Sequence, residues 1–388
     1  MPVLPSDTTP LSVPLTVIVK ISSTCNFACT YCDADIYSRQ RMSFEVLAQT
    51  IATALKTGRP THFIWHGGEP LMLGREFFKK AVWLQQKFRK SDQSVTNSLQ
   101  TNGSLLDDEW LDLFEICEIS VGVSLDGPPE LHNSQRVLQN RKGTFPQVMR
   151  AISLLKARGR RFGILAVVTD ETVKLGAQRF FDFFIENGIF SFAILCRHPA
   201  IITGANDYML REDHSRFVRE IFDIWYRRDN PEIHIRDFES IMRAMLGGKH
   251  SICLLAGSCV GKYFAVNFNG DIYHCDEFMT DQRYRLGNVS VDDFTTISSG
   301  PVINLLMRTE RSNLEQLNCK WQSICNGGCP KDRYVAAIYA GSAPIRCCGY
   351  ADLIEHIQSR IAENPRLAQL KLVQQQKAHP YTAGISGR

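Results

Sequence analysis

The sequence has no stretch of about 18 consecutive apolar residues, which excludes a transmembrane helix. Residues 1–14 show no basic segment followed by an apolar one, so a secretory signal is not expected and a cytoplasmic location is. Neither sign of charge dominates: 44 Lys and Arg stand against 40 Asp and Glu, a formal net charge of +4. With no long basic run, nothing argues for nucleic acid as a partner. The remaining composition, 44% hydrophobic and 22% charged over 388 residues, is ordinary for a soluble globular protein. That length allows two or three domains, or one barrel with additions.

Cysteine is what the chain has in excess. Thirteen are present, an odd number in a sequence without an export signal. Disulfide scaffolds are small and secreted, so clustered cysteines here point first to metal binding or chemistry. Cys25, Cys29 and Cys32 form one group; Cys253, Cys259, Cys275, Cys319, Cys325, Cys329, Cys347 and Cys348 form another from residue 253 onward. Cys117 and Cys196 stand alone in apolar surroundings and read as buried core residues.

Up to about residue 197 the apolar pattern alternates between strand and helix. Strands are expected at 15–21, 61–65, 95–101, 119–125, 162–169 and 190–196. Helices are expected at 44–55, 77–88, 108–116, 145–158 and 175–187, with Asp107 as an N-cap. This is the pattern of a parallel sheet covered by helices. Six units fall short of the eight that close a full barrel, so an open, partial barrel is expected. The unusual residues all follow strands. The three cysteines follow the first, Gly67-Gly68-Glu69-Pro70 the second, Gln100-Thr101-Asn102-Gly103 the third and Ser124-Leu125-Asp126-Gly127-Pro128 the fourth. Parallel α/β folds carry their sites at the carboxy-terminal strand ends, so the four motifs predict one site.

The spacing Cys25-x3-Cys29-x2-Cys32 puts three thiolates on one loop. On a 4Fe–4S cluster, three thiolates leave one iron open to a small molecule. A zinc loop is the competing reading, but structural zinc takes four ligands on paired knuckles, and no fourth cysteine is near. With this motif after the first strand, the chain resembles the radical SAM enzymes, whose fold is a partial (β/α)6 barrel. The resemblance implies that Cys25, Cys29 and Cys32 hold a 4Fe–4S cluster whose open iron binds S-adenosylmethionine. It places Tyr31 near the adenine and Gly67, Gly68 and Glu69 at the methionine amino group. Ser124 and Arg136 match polar positions at the methionine end. The glycines fit a ligand that approaches the backbone closely.

The resemblance continues toward the C-terminus. Cys259, Gly270 and Cys275, then Cys319-x5-Cys325-x3-Cys329 and Cys347, match the iron–sulfur SPASM extension, as found in anaerobic sulfatase maturases and related peptide maturases. By that pattern Cys253, Cys259, Cys275 and Cys329 would ligate a first auxiliary 4Fe–4S cluster. Cys319, Cys325 and Cys347 would ligate a second. The chain departs from the pattern at Gln316, where a cysteine is expected; Cys348 could supply the fourth thiolate, or the second cluster could be degenerate or absent. Disulfides are the competing reading of these cysteines. Asp276 matches the catalytic acid of sulfatase maturases, with a carboxylate beside Cys275 as the competing reading. His66 and His274 read as donors to neighbouring site residues. The implied organisation is an arm at 1–14, a radical SAM barrel at 15–235, an auxiliary-cluster domain at 236–365 and a polar tail at 366–388.

The function expected on these grounds is removal of a Cβ hydrogen from a residue of a peptide or protein, with a flavodoxin or ferredoxin type electron donor. Gln316, Asp33-Ala34-Asp35 after Cys32, and residues 121–132 resemble crosslinking maturases of ribosomally made peptides. That outcome is placed first. Asp276 favours the alternative, oxidation of Cys or Ser to formylglycine. A small-molecule radical SAM dehydrogenase is the third reading; an iron–sulfur carrier would have no use for an open three-cysteine site beside Gly-Gly-Glu.

Overall fold

The computed structural model describes residues 13–32, 38–196, 212–257, 259–279, 281–316, 319–330 and 350–365. Its first six strands are β1 (Leu15–Lys20), β2 (Thr61–His66), β3 (Val95–Thr101), β4 (Ile119–Ser124), β5 (Phe162–Val168) and β6 (Ser191–Cys196). They lie side by side in chain order, all parallel, as the alternating pattern predicted. A two-residue strand, β7 (His234–Ile235), extends the β6 edge.

The other edge was not legible in the sequence. Three short strands, β8 (Tyr263–Val266), β9 (Asp271–Tyr273) and β10 (Arg285–Asn288), add to it. β8 pairs with β1 in parallel, and β9 and β10 follow antiparallel. The cysteine-rich C-terminal region therefore joins the barrel sheet directly. The order is β10-β9-β8-β1-β2-β3-β4-β5-β6-β7, an unclosed mixed sheet.

Helices cover one face. Phe44–Lys56 starts at Ser43, whose side chain accepts from the Val46 N–H, and Asp108–Ile116 starts at Asp107, which accepts from Trp110. The helix expected at 175–187 is Ala177–Glu186; a separate helix that was not expected, Asp170–Leu175, ends before it at Gly176, with φ +89°. A short helix, Pro129–Gln135, lies where none was expected; its sequence PELHNSQ has too little apolar periodicity to announce it.

Strand register sorts the side chains. Ile18 sits opposite Ile64, Ile64 opposite Ser98, and Ser98 opposite Ser120. Residues two apart share a face, so Val17, Val19, Phe63, Trp65, Leu99, Val121 and Val123 point toward the helices and are buried. On that side Trp65 Nε1 donates to Asn97 Oδ1 at 3.0 Å, and Asn97 and Gln85 exchange amide bonds at 2.8 and 2.9 Å. The opposite face, the lumen of the open barrel, carries Lys20, His62, His66, Thr96, Ser98, Gln100 and Ser124. There His62 lies 2.8 Å from Thr96 Oγ1 and 3.0 Å from Ser98 Oγ. Among the described residues no helix is long and apolar enough to cross a membrane.

Candidate active site

The loop after β1 carries the first three cysteines and is sewn down on both sides. Phe27, 1% exposed, forms a bridge with Leu138. The Ala28 N–H donates to Val137 O at 2.7 Å and the Thr30 N–H to Gln135 O at 2.9 Å. On the other side the Glu69 N–H donates to Thr24 O at 2.9 Å. Gly68 makes this approach possible: its φ is +46°, and a Cβ there would lie 2.2 Å from the Thr24 carbonyl oxygen.

Burial pushes the Cys25 thiol up to about 12, with Glu69, Cys29 and Cys32 adding to it. Burial raises Cys29 to about 11, opposed by the guanidinium of Arg136. Three thiols in mutual electrostatic reach, two of them suppressed as thiolates by burial, need a multiply charged cation in order to ionise together. No three His, Cys, Asp or Glu side chains among the described residues converge as they would on a single metal ion. Beside the loop, Thr24 Oγ1 and both polar atoms of the buried Gln135 amide lack partners. Buried polar atoms are nearly always satisfied, so donor set and orphaned atoms together fit a cluster with a small ligand.

The strand ends meet this loop as expected. Glu69 is fully buried, and its carboxylate accepts from Leu71 N (3.1 Å), Thr101 Oγ1 (2.6 Å) and Asn102 N (2.7 Å). Asn102 Nδ2 donates to Asn26 Oδ1 at 2.9 Å. Tyr31 donates its hydroxyl to Asp126 Oδ2 at 2.7 Å, and Arg136 Nε donates to the same oxygen at 3.0 Å. The Arg136 guanidinium lies 5.4 Å from the Tyr31 ring centroid. Ser124 accepts from Gln100 Nε2 at 3.0 Å. Gln100 leans over Gly122, where a Cβ would lie 2.3 Å from its Oε1.

The second sulfur group gathers around β8 and β9. The Cys275 thiol is raised by burial, by the Asp276 carboxylate, and by the thiols of Cys329, Cys253 and Cys259, so these four are neighbours. They are the residues expected for the first auxiliary cluster. His274 Nε2 lies 3.6 Å from Cys259 Sγ, and burial lowers its pKa to about 4. Cys325 is buried and accepts the Gly327 N–H at 3.3 Å; Cys319 is half-buried. Cys347, Cys348 and residues 33–35 lie outside the described residues. Cys117, expected in the core, is instead half-buried, because it is the residue that ends the helix Asp108–Ile116.

Asp276 reaches the barrel lumen. Its Oδ2 lies 3.0 Å from Lys20 Nζ, and its Oδ1 accepts from Cys275 Sγ at 3.4 Å. Burial opposes ionisation, but the Lys20 ammonium holds the carboxyl well below the usual carboxylate range. Lys20, the last residue of β1, also lies 3.0 Å from Nδ1 of His66, the last residue of β2. Sequence reading missed Lys20; its only signal was a polar residue at the lumen position of an apolar strand.

Comparison with known proteins adds the following. Residues 19–175 match the Radical SAM superfamily, and residues 253–330 match SPASM, an iron-sulfur cluster-binding domain. A cysteine-type anaerobic sulfatase-maturating enzyme of Clostridium perfringens is 32% identical over 366 residues, 90% of this chain and 97% of the relative. A serine-type anaerobic sulfatase-maturating enzyme of Bacteroides thetaiotaomicron is 32% identical over 388 residues, 90% of each chain. Among solved structures, native anSMEcpe with bound AdoMet and Cp18Cys peptide superposes with a TM-score of 0.80 at 29% identity, covering 92% of this chain and 99% of that one.

Proposed function

The chain belongs to the radical SAM superfamily and, within it, to the anaerobic sulfatase-maturating enzymes, and from that membership we propose that it oxidises the Cβ of a cysteine or serine in a peptide or protein to formylglycine. The observation that carries the reading is the Asp276 carboxylate, beside Cys275 and within reach of the barrel lumen. The crosslinking reading rests on Gln316 and on short sequence matches, whereas the likeness to maturases of both types spans 90% of the chain.

Cys25, Cys29 and Cys32 would hold the 4Fe–4S cluster. Tyr31, Gly67, Gly68, Glu69, Ser124 and Arg136 would hold S-adenosylmethionine. Cys253, Cys259, Cys275 and Cys329 would hold one auxiliary cluster, and Cys319, Cys325 and Cys347 would contribute to another. When bound, these groups supply a 5′-deoxyadenosyl radical that takes the Cβ hydrogen atom, together with an acceptor for the electron then released. The protein's own part is the proton. Asp276 takes it from the substrate thiol or hydroxyl, which leaves C=S or C=O; water then replaces the sulfur of the cysteine product. Glu69, fixed by three donors, would accept from the cofactor's methionine amino group. The reductant would be a flavodoxin or ferredoxin type protein.

The test is anaerobic incubation of the reconstituted enzyme with a cysteine-type and a serine-type sulfatase peptide. A product that reacts with a hydrazide carries the aldehyde and supports the reading. Loss of two hydrogens without a reactive aldehyde is the crosslinking outcome and excludes it.

A further inference from the structure

Asp276 opens a three-residue 3-10 turn, Asp276–Phe278, a short element with little hold on its own first side chain. What fixes the carboxylate comes from the barrel. Lys20 ends β1, which lies between β2 and β8 in the interior of the sheet. From the lumen face its ammonium reaches Asp276 Oδ2 at 3.0 Å and His66 Nδ1 at 3.0 Å. The second contact is itself anchored. His66 Nδ1 accepts the Gly67 N–H at 2.8 Å. A ring nitrogen that accepts a backbone N–H carries no proton of its own, so the proton sits on Nε2 and Nδ1 is a fixed acceptor. Only glycine fits at this turn: its φ is +94°, and a Cβ would lie 2.8 Å from Ser22 O. The chain of contacts thus runs from the turn before Glu69, through a histidine and a lysine, to the carboxylate beside Cys275. The Lys20 and Asp276 side chains are each 22% exposed, so the pair is open to a molecule in the lumen. A carboxylate offers about four acceptor sites, and the ammonium leaves others for a substrate proton.

We propose that Lys20, set by His66, is the positioning residue for the Asp276 carboxylate; the proposal rests on the reading of Asp276 as proton acceptor. A general base must lie within hydrogen-bond reach of its proton, and a misplacement of about 1 Å costs about 100-fold. In this role Lys20 acts through Asp276.

The experiment uses the anaerobically reconstituted full chain and the two sulfatase peptides, with Lys20→Met, Lys20→Arg, Asp276→Asn and the double variant Lys20→Met/Asp276→Asn. For Lys20→Met we expect unchanged iron content and about 100-fold more deoxyadenosine per modified peptide than wild type. Lys20→Arg, which keeps a donor, should recover most of that coupling. Melting temperatures provide a readout free of turnover: the double variant should melt no lower than the worse single variant, because the two side chains act on one interaction. Unchanged or better coupling in Lys20→Met overturns the proposal, since loss of the cation only strengthens the carboxylate as a base. A parallel fall of iron, deoxyadenosine and product would mark Lys20 as structural and also overturn it, as would additive melting shifts. If wild type modifies neither peptide, the reading of the reaction fails, and the melting cycle alone then supports or overturns the placement of Asp276 by Lys20.

Discussion

Glu69 is a fully buried carboxylate whose pKa burial raises to about 6, against the lowering effect of Thr101, Asn102 and Leu71. The sign follows from linkage. The folded chain holds this proton more tightly than the unfolded one, so the group's contribution to stability falls as pH rises from the ordinary 4.5 through 6. The loss is about 2 kcal/mol. A hydrogen-bond donor brought to Glu69 reverses the balance by favouring the ionised form. If Glu69 accepts from the methionine amino group of S-adenosylmethionine, the dissociation constant measured without reductant should carry a rise of about tenfold per unit below about pH 6 that comes from Glu69. In Glu69→Gln the binding should be weak throughout and that rise should be absent. A rise below about pH 6 that survives unchanged in Glu69→Gln would place the amino group elsewhere.

Among elements, the turn after β2 matters most, because it carries the loop of the first three cysteines on its back. Gly68 presses on the Thr24 carbonyl, and Thr24 immediately precedes Cys25. Gly68→Ala adds a methyl group that must displace backbone, so the cysteine loop moves. We expect a fall in iron bound at the first site and at least about tenfold weaker S-adenosylmethionine binding, followed by iron assay and equilibrium dialysis. Gly74→Ala is the control: it has the same sign of φ, +80°, but nothing lies within 4 Å of the added Cβ. It should cost only backbone strain, about 1–3 kcal/mol at this φ and ψ, and leave iron and binding intact. The contrast also shows why some elements were legible and others were not. Cys25, Cys29, Cys32 and Gly67-Gly68-Glu69 are local in sequence, and a spacing of a few residues carries their whole meaning. Asp170–Leu175 is a six-residue helix, too short for periodicity to announce, and Gly176 ends it before Ala177–Glu186, so only the longer helix was legible. β8 to β10 are three or four residues each, too short for alternation to register. Lys20 is a single polar residue at the end of LTVIVK, and its role exists only once register places β8 beside β1 and brings Asp276 near.

At the scale of the whole molecule, β1 is the axis that separates the two sulfur groups. The loop of Cys25, Cys29 and Cys32 leaves its carboxy-terminal end. Because β8 runs parallel to β1, with Thr16 opposite Tyr263, Cys259 lies toward its amino-terminal end. Six residues of strand span about 20 Å, and the lumen with Lys20, His66 and Asp276 lies between. A substrate held there can lose its hydrogen atom toward one group and its electron toward the other, so the two groups should fail independently. Wild type reconstituted without air should carry about 8 to 12 irons per chain if two or three 4Fe–4S clusters form. Cys275→Ala or Cys329→Ala should remove about four and still yield deoxyadenosine, with modified peptide lost. Cys29→Ala should remove a similar amount, abolish deoxyadenosine, and leave the absorbance of the auxiliary clusters. Crossed phenotypes of this kind require two sites with different tasks. If instead either class of variant abolished both deoxyadenosine and all bound iron, the cysteines would belong to one cooperative folding unit, and the division of labour along β1 would be wrong. A wild-type count near four with full peptide modification would leave the C-terminal thiols without a redox role.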